Sequence, residues 1–296
     1  MAHYLDPKND LTFKRVFGEH KHLCMSLINS MLPLEKPVVH IEYQSGELIP
    51  ELDVLRNTIV DVRCMDEDGR QFIVEMQLYW YESFKKRVLL NASKAYVLQM
   101  DAAEKFNKLQ PVYSLNFVNE NFEKSPEMAN EYYHHYKIVN VKDTDKQLKG
   151  LEFVFLELPK FKAQNRAEKK LHELWLRFLT EVREDTESIP AELLENDLIR
   201  EAVGYMERGA YSKEQLIGYD KWKIDMMTAK SMLDDAEDIG IAKGKAEGKA
   251  EGRAEGEAKK TTEVAVKMLK KGISFEDIAD FTGLTPQQIE ELTINN

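Results

Sequence analysis

The chain has 296 residues, enough for one full-sized domain plus a smaller unit, and its 43% hydrophobic and 31% charged residues describe a globular protein with a charged surface. A formal net charge of −11 argues against a surface coated in cations for nonspecific nucleic-acid binding, and leaves open a local basic patch or carboxylates that meet phosphate through a divalent metal. Cys24 and Cys64 make neither a disulfide framework nor a zinc spacing, no apolar run approaches the roughly 18 residues of a membrane span, and the N-terminus lacks the apolar core of a secretory signal; no membrane partner and a reducing cytoplasm are expected.

"NDLTFKRVFGEHKHLCMSLINSML" has helical periodicity. Leu11, Phe13, Val16, Phe17, Leu23, Leu27, Ile28 and Met31 recur mostly three or four apart, with Asn9 or Asp10 as the cap and Gly18 as the break. "VVHIEYQSGELI" and "NTIVDVRCMDEDGRQFIVEMQLYW" then carry strand patterns, the second split by the turn signal "DEDG". Helix returns from Glu82 to about Lys108, and "QPVYSLNFVN" and "LEFVFLELPKF" read as strands separated by an irregular segment. Residues 1–162 therefore form a mixed α/β domain. Residues 163–238 read as a helical region, in which Leu171, Leu174, Trp175, Phe178 and Leu179 draw one stripe.

Within "FIVEMQLYW", Gln71, Ile73, Glu75 and Gln77 share one face of a strand and Phe72, Val74, Met76 and Leu78 the other. The polar residues mark either an edge strand wetted on one side or a site. Asp61, in "NTIVDVRC", faces Glu75 only if the hairpin loop is odd in length, such as residues 66–70, or bulged; with an even loop the two carboxylates leave the sheet on opposite sides. Gly69 suits the positive φ that such a turn requires. Two carboxylates on one face repel unless a cation lies between them, and hard oxygen ligands suit Mg²⁺ or Mn²⁺.

"DPKNDLTFKRVFG", "IVDVRCMDEDGRQFIVEMQ", "FKKRVLLNASKAYVLQM", "PVYSLNFVN" and "FVFLELPKF", in that order over about residues 4–165, resemble the recombination-promoting nuclease (Rpn) branch of the PD-(D/E)XK nuclease superfamily. The resemblance implies a restriction-endonuclease-like core, a mixed sheet flanked by helices, followed by an all-helical C-terminal region. It implies a Mg-dependent DNA endonuclease (Mn²⁺ serving as well) linked to recombination, DNA mobility or defence against foreign DNA. Asp61 becomes the motif aspartate, Glu75 the second metal carboxylate, and the backbone carbonyl of Met76 the third protein ligand. Gln77 stands where the wider superfamily has lysine; it supplies only a dipole, so a further cation is needed, and Lys14 and Arg87 are the candidates. Asp10 is either an additional acid or a helix cap.

Arg87, Asn91 and Lys94 share one helix face, either solvated or in contact with phosphate. Tyr79, Trp80 and Tyr81 either stack on unpaired bases or pack around the end of a strand, and His134 and His135 read as structural. Residues 239–262 hold Gly240, Gly244, Gly248, Gly252 and Gly256, each four apart, in an Ala/Glu/Lys background without proline. That repeat is a flexible linker or a helix that associates with another chain, the helix being favoured, and it points to a homo-oligomer formed through the C-terminal region. Residues 241–273 carry nine Lys/Arg against five Glu, a charge suited to nucleic acid or a protein partner. The tail module, 263–296, has a helix–Gly283–helix rhythm, but Glu290 and Glu291 disfavour insertion into a DNA groove and favour a protein-protein module. The rival to the enzyme is a non-catalytic interaction protein that keeps the fold and acts through this tail.

Overall fold

The computed structural model describes residues 3–48, 58–100, 105–163 and 170–294. Phe13, Val16 and Phe17 fall on one side of α1 (Asp10–Glu19), and Leu23, Leu27 and Ile28 on one side of α2 (Lys21–Met31), because a helix returns to the same face every three or four residues. Asn9 caps α1, its side chain accepting from the Leu11 N–H. The break between the helices falls at His20, whose backbone is extended, and not at Gly18. Gly18 stays helical; a Cβ there would lie 3.7 Å from Val62, an ordinary van der Waals contact, so the packing of α1 on the sheet does not require glycine.

The strands are β1 (Ile41–Tyr43), β2 (Glu47–Leu48), β3 (Thr58–Ile59), β4 (Val62–Asp66), β5 (Gln71–Gln77), β6 (Val112–Val118), β7 (Tyr133–Asn140) and β8 (Asp143–Glu157), with α3 (Ser83–Val97) between β5 and β6. Six of them form one mixed sheet in the order β1-β4-β5-β6-β8-β7, while β2 and β3 pair separately. β5, β6 and β8 run parallel, and the outer strands antiparallel. The segment before "LEFVFLELPKF" is therefore not irregular throughout: residues 133–157 make a second hairpin.

Alternation assigns one sheet face to Val62, Cys64, Phe72, Val74, Leu115 and Phe117, buried against α1 and α2. The same core takes in Trp175 and Phe178 of α4 (Leu171–Glu181), Leu193 of α5 (Ala191–Leu194) and Ile199 of α6 (Asp197–Gly204). The opposite face carries Ile73 and Val112 under Ala92 and Ala95 of α3, with Leu48 and Val60 closing the side. Gly46 is the tightest backbone approach, since a Cβ there would lie 2.6 Å from the Val60 carbonyl oxygen. Gly46→Ala is accordingly expected to destabilise the fold by about 1–3 kcal/mol in urea titration, a cost of forced overpacking; an unchanged midpoint would show that the β1–β4 edge yields freely.

The chain divides into two compact units, Met1–Asp225 and Met226–Asn296. The glycine repeat lies inside the helix α7 (Lys213–Lys270). In the second unit Ala265, Ile278 and Ile289 form a small core with α8 (Phe275–Thr282) and α9 (Pro286–Ile294). Ser274 caps α8 and Gly283 ends it in the left-handed conformation, φ 71°. No helix among the described residues is long and apolar enough to cross a membrane.

Candidate active site

The hairpin register decides whether the two acids meet. Val62 pairs with Val74 and Met65 with Gln71, so residues 66–70 form an odd loop, and extending the ladder by one position sets Asp61 opposite Glu75. The turn is held from inside. Asp66 Oδ1 accepts from the Asp68 and Arg70 N–H groups, and Gly69 takes φ 82°. β4 starts only at Val62, one residue after Asp61, while β5 continues to Gln77.

That mismatch in length leaves the β4 side of Met76 without a ladder partner, and Asp61 fills it: Oδ2 accepts the Met76 N–H at 2.8 Å. The Gln71 N–H and the Gln77 carbonyl bond towards β6. By alternation the Met76 carbonyl faces the same open side as its N–H. Burial raises the Asp61 carboxyl above its ordinary pKa, and the Asp10 charge adds to this; the Met76 N–H, Lys14 and Arg87 oppose it. Glu75 is buried, 3% exposed, and its pKa is pushed up to about 7, first by burial and then by the Asp61 carboxylate.

Two residues of α3 reach Glu75. Asn91 Nδ2 donates to Oε1 at 3.0 Å, and Arg87 Nη2 lies 3.4 Å from Oε2. Arg87 Nη2 also donates to Gln77 Oε1 at 2.8 Å, while Gln77 Nε2 donates to the Tyr79 carbonyl at 2.7 Å. Gln77 is thus fixed at both ends of its amide. The guanidinium packs over the rings of Tyr81 and Phe84. Lys14 pairs with Asp10 one turn earlier on α1, at 2.7 Å, and touches neither Glu75 nor Gln77 among the described residues. Lys94, the third residue of that helix face, donates to Thr58 Oγ1 at 3.3 Å. The aromatic run packs: Trp80 stacks on Phe122 at 4.3 Å and meets the edge of Phe84.

The sequence leaves Asn91 on a helix face that is either solvated or in contact with phosphate; in the structure its amide is turned onto Glu75. Its spacing from Arg87 puts it on the right helix face, but only the depth of α3 on the sheet turns it inward onto Glu75. Asn91 Oδ1 and Arg87 Nε are buried without a hydrogen-bond partner among the described residues. Such orphaned groups are the usual mark of a place where water, substrate or an ion belongs.

The donor set fits a hard cation: two carboxylates, both pushed up by burial, and a peptide carbonyl, all oxygen. Among the described residues no three His, Cys, Asp or Glu side chains gather to hold a metal. No curated protein and no solved structure matches the chain. A family model, PD-(D/E)XK nuclease family transposase, matches residues 7–236, which span the acids, the sheet, α3 to α6 and the start of α7. The chain belongs to this PD-(D/E)XK nuclease family.

Proposed function

We propose that the chain is a metal-dependent DNA endonuclease that hydrolyses phosphodiester bonds, serving recombination, DNA mobility or defence against foreign DNA. The supporting observation is the convergence of Asp61 and Glu75 beside the Met76 main chain, with Arg87 joining Glu75 to Gln77. Asp61, Glu75 and the Met76 carbonyl would hold Mg²⁺ or Mn²⁺; when bound, such a cation lowers the pKa of a coordinated water and offsets charge on phosphorus.

The protein's own groups divide the remaining work. Gln77 is no base, but its pinned amide keeps one N–H in a fixed direction for a water or phosphate oxygen. Arg87 supplies the positive charge that the wider superfamily draws from lysine, and its planar fork matches phosphate oxygens. Asn91 positions the Glu75 carboxyl, and Lys14, tied to Asp10, tempers the field of the acids without touching them.

Plasmid cleavage tests the reading. Wild type is expected to nick DNA only with Mg²⁺ or Mn²⁺, and Asp61→Asn, which keeps an oxygen for the Met76 N–H, to lose at least about a hundredfold in rate. MgCl₂ is also expected to raise the melting temperature of wild type and not of the variant, because a ligand stabilises only the fold that binds it. Equal nicking by both proteins would end the assignment.

A further inference from the structure

On the sheet face that carries Glu75, a cavity of about 600 Å³ opens beside the C-terminal end of α3, lined by Gln44, Arg63, Gln71, Gln99 and Gln110 among others. Arg63 and Met65 of β4 and Gln71 of β5 share this face because their neighbours Val62, Cys64 and Phe72 fill the opposite core. Arg63 is half-buried, and its Nε and Nη2 both donate to Gln71 Oε1, at 3.2 and 2.8 Å. No carboxylate pairs with it among the described residues, and Asp68 at the cavity rim is held by Lys36 at 2.6 Å. Burial lowers the pKa of Arg63, with no opposing acid.

A guanidinium partly withdrawn from water without an anion is costly, and in a chain with 52 acids against 41 Lys and Arg it could have found an acid. Instead its neighbours are amides. Gln99 is spent on the Gln110 main chain, whereas Arg63 Nη1, Gln71 Nε2 and the Gln44 side-chain amide make no hydrogen bond among the described residues. Those three groups are N–H donors, and an acceptor-rich, doubly forked anion is what such a set takes. Four strand steps, about 13 Å, lead from Gln71 to Glu75, with Ala92 and Ala95 of α3 packed on Ile73 between them, so a backbone reaching both would run around α3 over a few nucleotides.

We infer that Arg63, Gln71 and Gln44 form a phosphate subsite that grips the nucleic-acid backbone a few nucleotides from the bond being cut; this rests on the nuclease reading above. The subsite orients the strand and carries no sequence information, as backbone contacts do.

The test is fluorescence anisotropy of a labelled duplex oligonucleotide with the full chain, made cleavage-incompetent by Asp61→Asn, across a salt series. Adding Arg63→Gln is expected to weaken binding about 5–20-fold and to reduce the salt slope by about one. Gln71→Glu, which offers Arg63 an internal carboxylate without changing shape, is expected to weaken binding as much while leaving the melting temperature at or above that of the parent. Affinity and slope unchanged in both variants would overturn the subsite, whether or not wild type cuts DNA. Arg63-dependent binding by a protein that never cuts would uphold the subsite and fail the nuclease reading. Inorganic phosphate that stabilises wild type but not Arg63→Gln, with DNA affinity equal in both, would assign the cavity to a free anion and overturn the proposal.

Discussion

Glu75→Gln is expected to abolish DNA cleavage and, in the same protein, to raise the melting temperature at pH 8. The Glu75 carboxyl ionises at about 7 in the fold against an ordinary 4.5, because burial and then the Asp61 charge disfavour its anion. Between those values the folded chain holds a proton that the unfolded chain releases. Stability contributed by the protonated group is therefore complete below about pH 4.5, declines as pH rises, and is gone above about 7. Glutamine carries no charge to bury, so variant and wild type should melt together near pH 4.5 and separate through neutrality to a constant gap. The gap is of the order of 1–3 kcal/mol, several degrees for a unit of this size. Arg87 is part-exposed and can turn from the new amide, whereas Asn91 keeps its acceptor. Mg²⁺ should close the gap from the wild-type side alone. Parallel melting curves from pH 4.5 to 8 would mean that Glu75 is an ordinary buried acid with its charge already compensated, and the cation reading would lose its footing.

Much of this site was legible in the sequence because strands obey a two-residue period and turns have chemical signatures. "DEDG" with Gly69 fixed the hairpin, and the face shared by Glu75 and Gln77 followed from alternation. The odd loop that unites Asp61 with Glu75 was one of two permitted outcomes; what selects it is Asp66, whose buried carboxylate gathers the Asp68 and Arg70 N–H groups and the Arg70 guanidinium. An aspartate used as a turn scaffold looks in sequence like any exposed acid of "MDEDG". That Arg87 rather than Lys14 reaches Glu75 was equally hidden, since it depends on how deep α3 settles, through Ala92 and Ala95, onto Ile73 and Val112. The β7–β8 hairpin is silent in the sequence for another reason. As an edge strand β7 exposes Lys137 and Tyr136, and its turn at 141–142 lacks glycine, so neither apolar alternation nor a turn signal marked it. The helix breaks at His20 and not at Gly18 because a single glycine inside a helix costs only about 1 kcal/mol and does not by itself end it.

Glu157→Ala is expected to destabilise the first unit by about 3–5 kcal/mol, the cost of leaving a buried cation without its partner. Glu157 ends β8 fully buried and compensates Lys160, whose ammonium lies 2.5 Å from Oε2 and is itself 6% exposed. His134 meets the same oxygen at 2.8 Å, and the Phe122 and Glu123 N–H groups donate to Oε1. Burial alone would raise this acid; Lys160 and the other donors outweigh it and hold the pKa below the ordinary carboxylate value. Its contribution should therefore persist above the normal carboxylate range and fade only in acid. Glu157→Leu combined with Lys160→Met removes both charges and should recover much of the loss, so urea titration of single and double variants separates a stranded charge from lost packing. The consequence reaches the helix of the candidate site. Phe122, fixed by Glu157, stacks on Trp80, and Lys85 of α3 lies 4.7 Å over the Phe122 ring, so the same carboxylate that steadies this segment supports the base of the helix carrying Arg87 and Asn91. Glu157→Ala should thus lower cleavage beyond what its unfolded fraction explains. If residual activity tracks the folded fraction alone, the support is purely thermodynamic and α3 is held by its own packing on Ile73 and Val112.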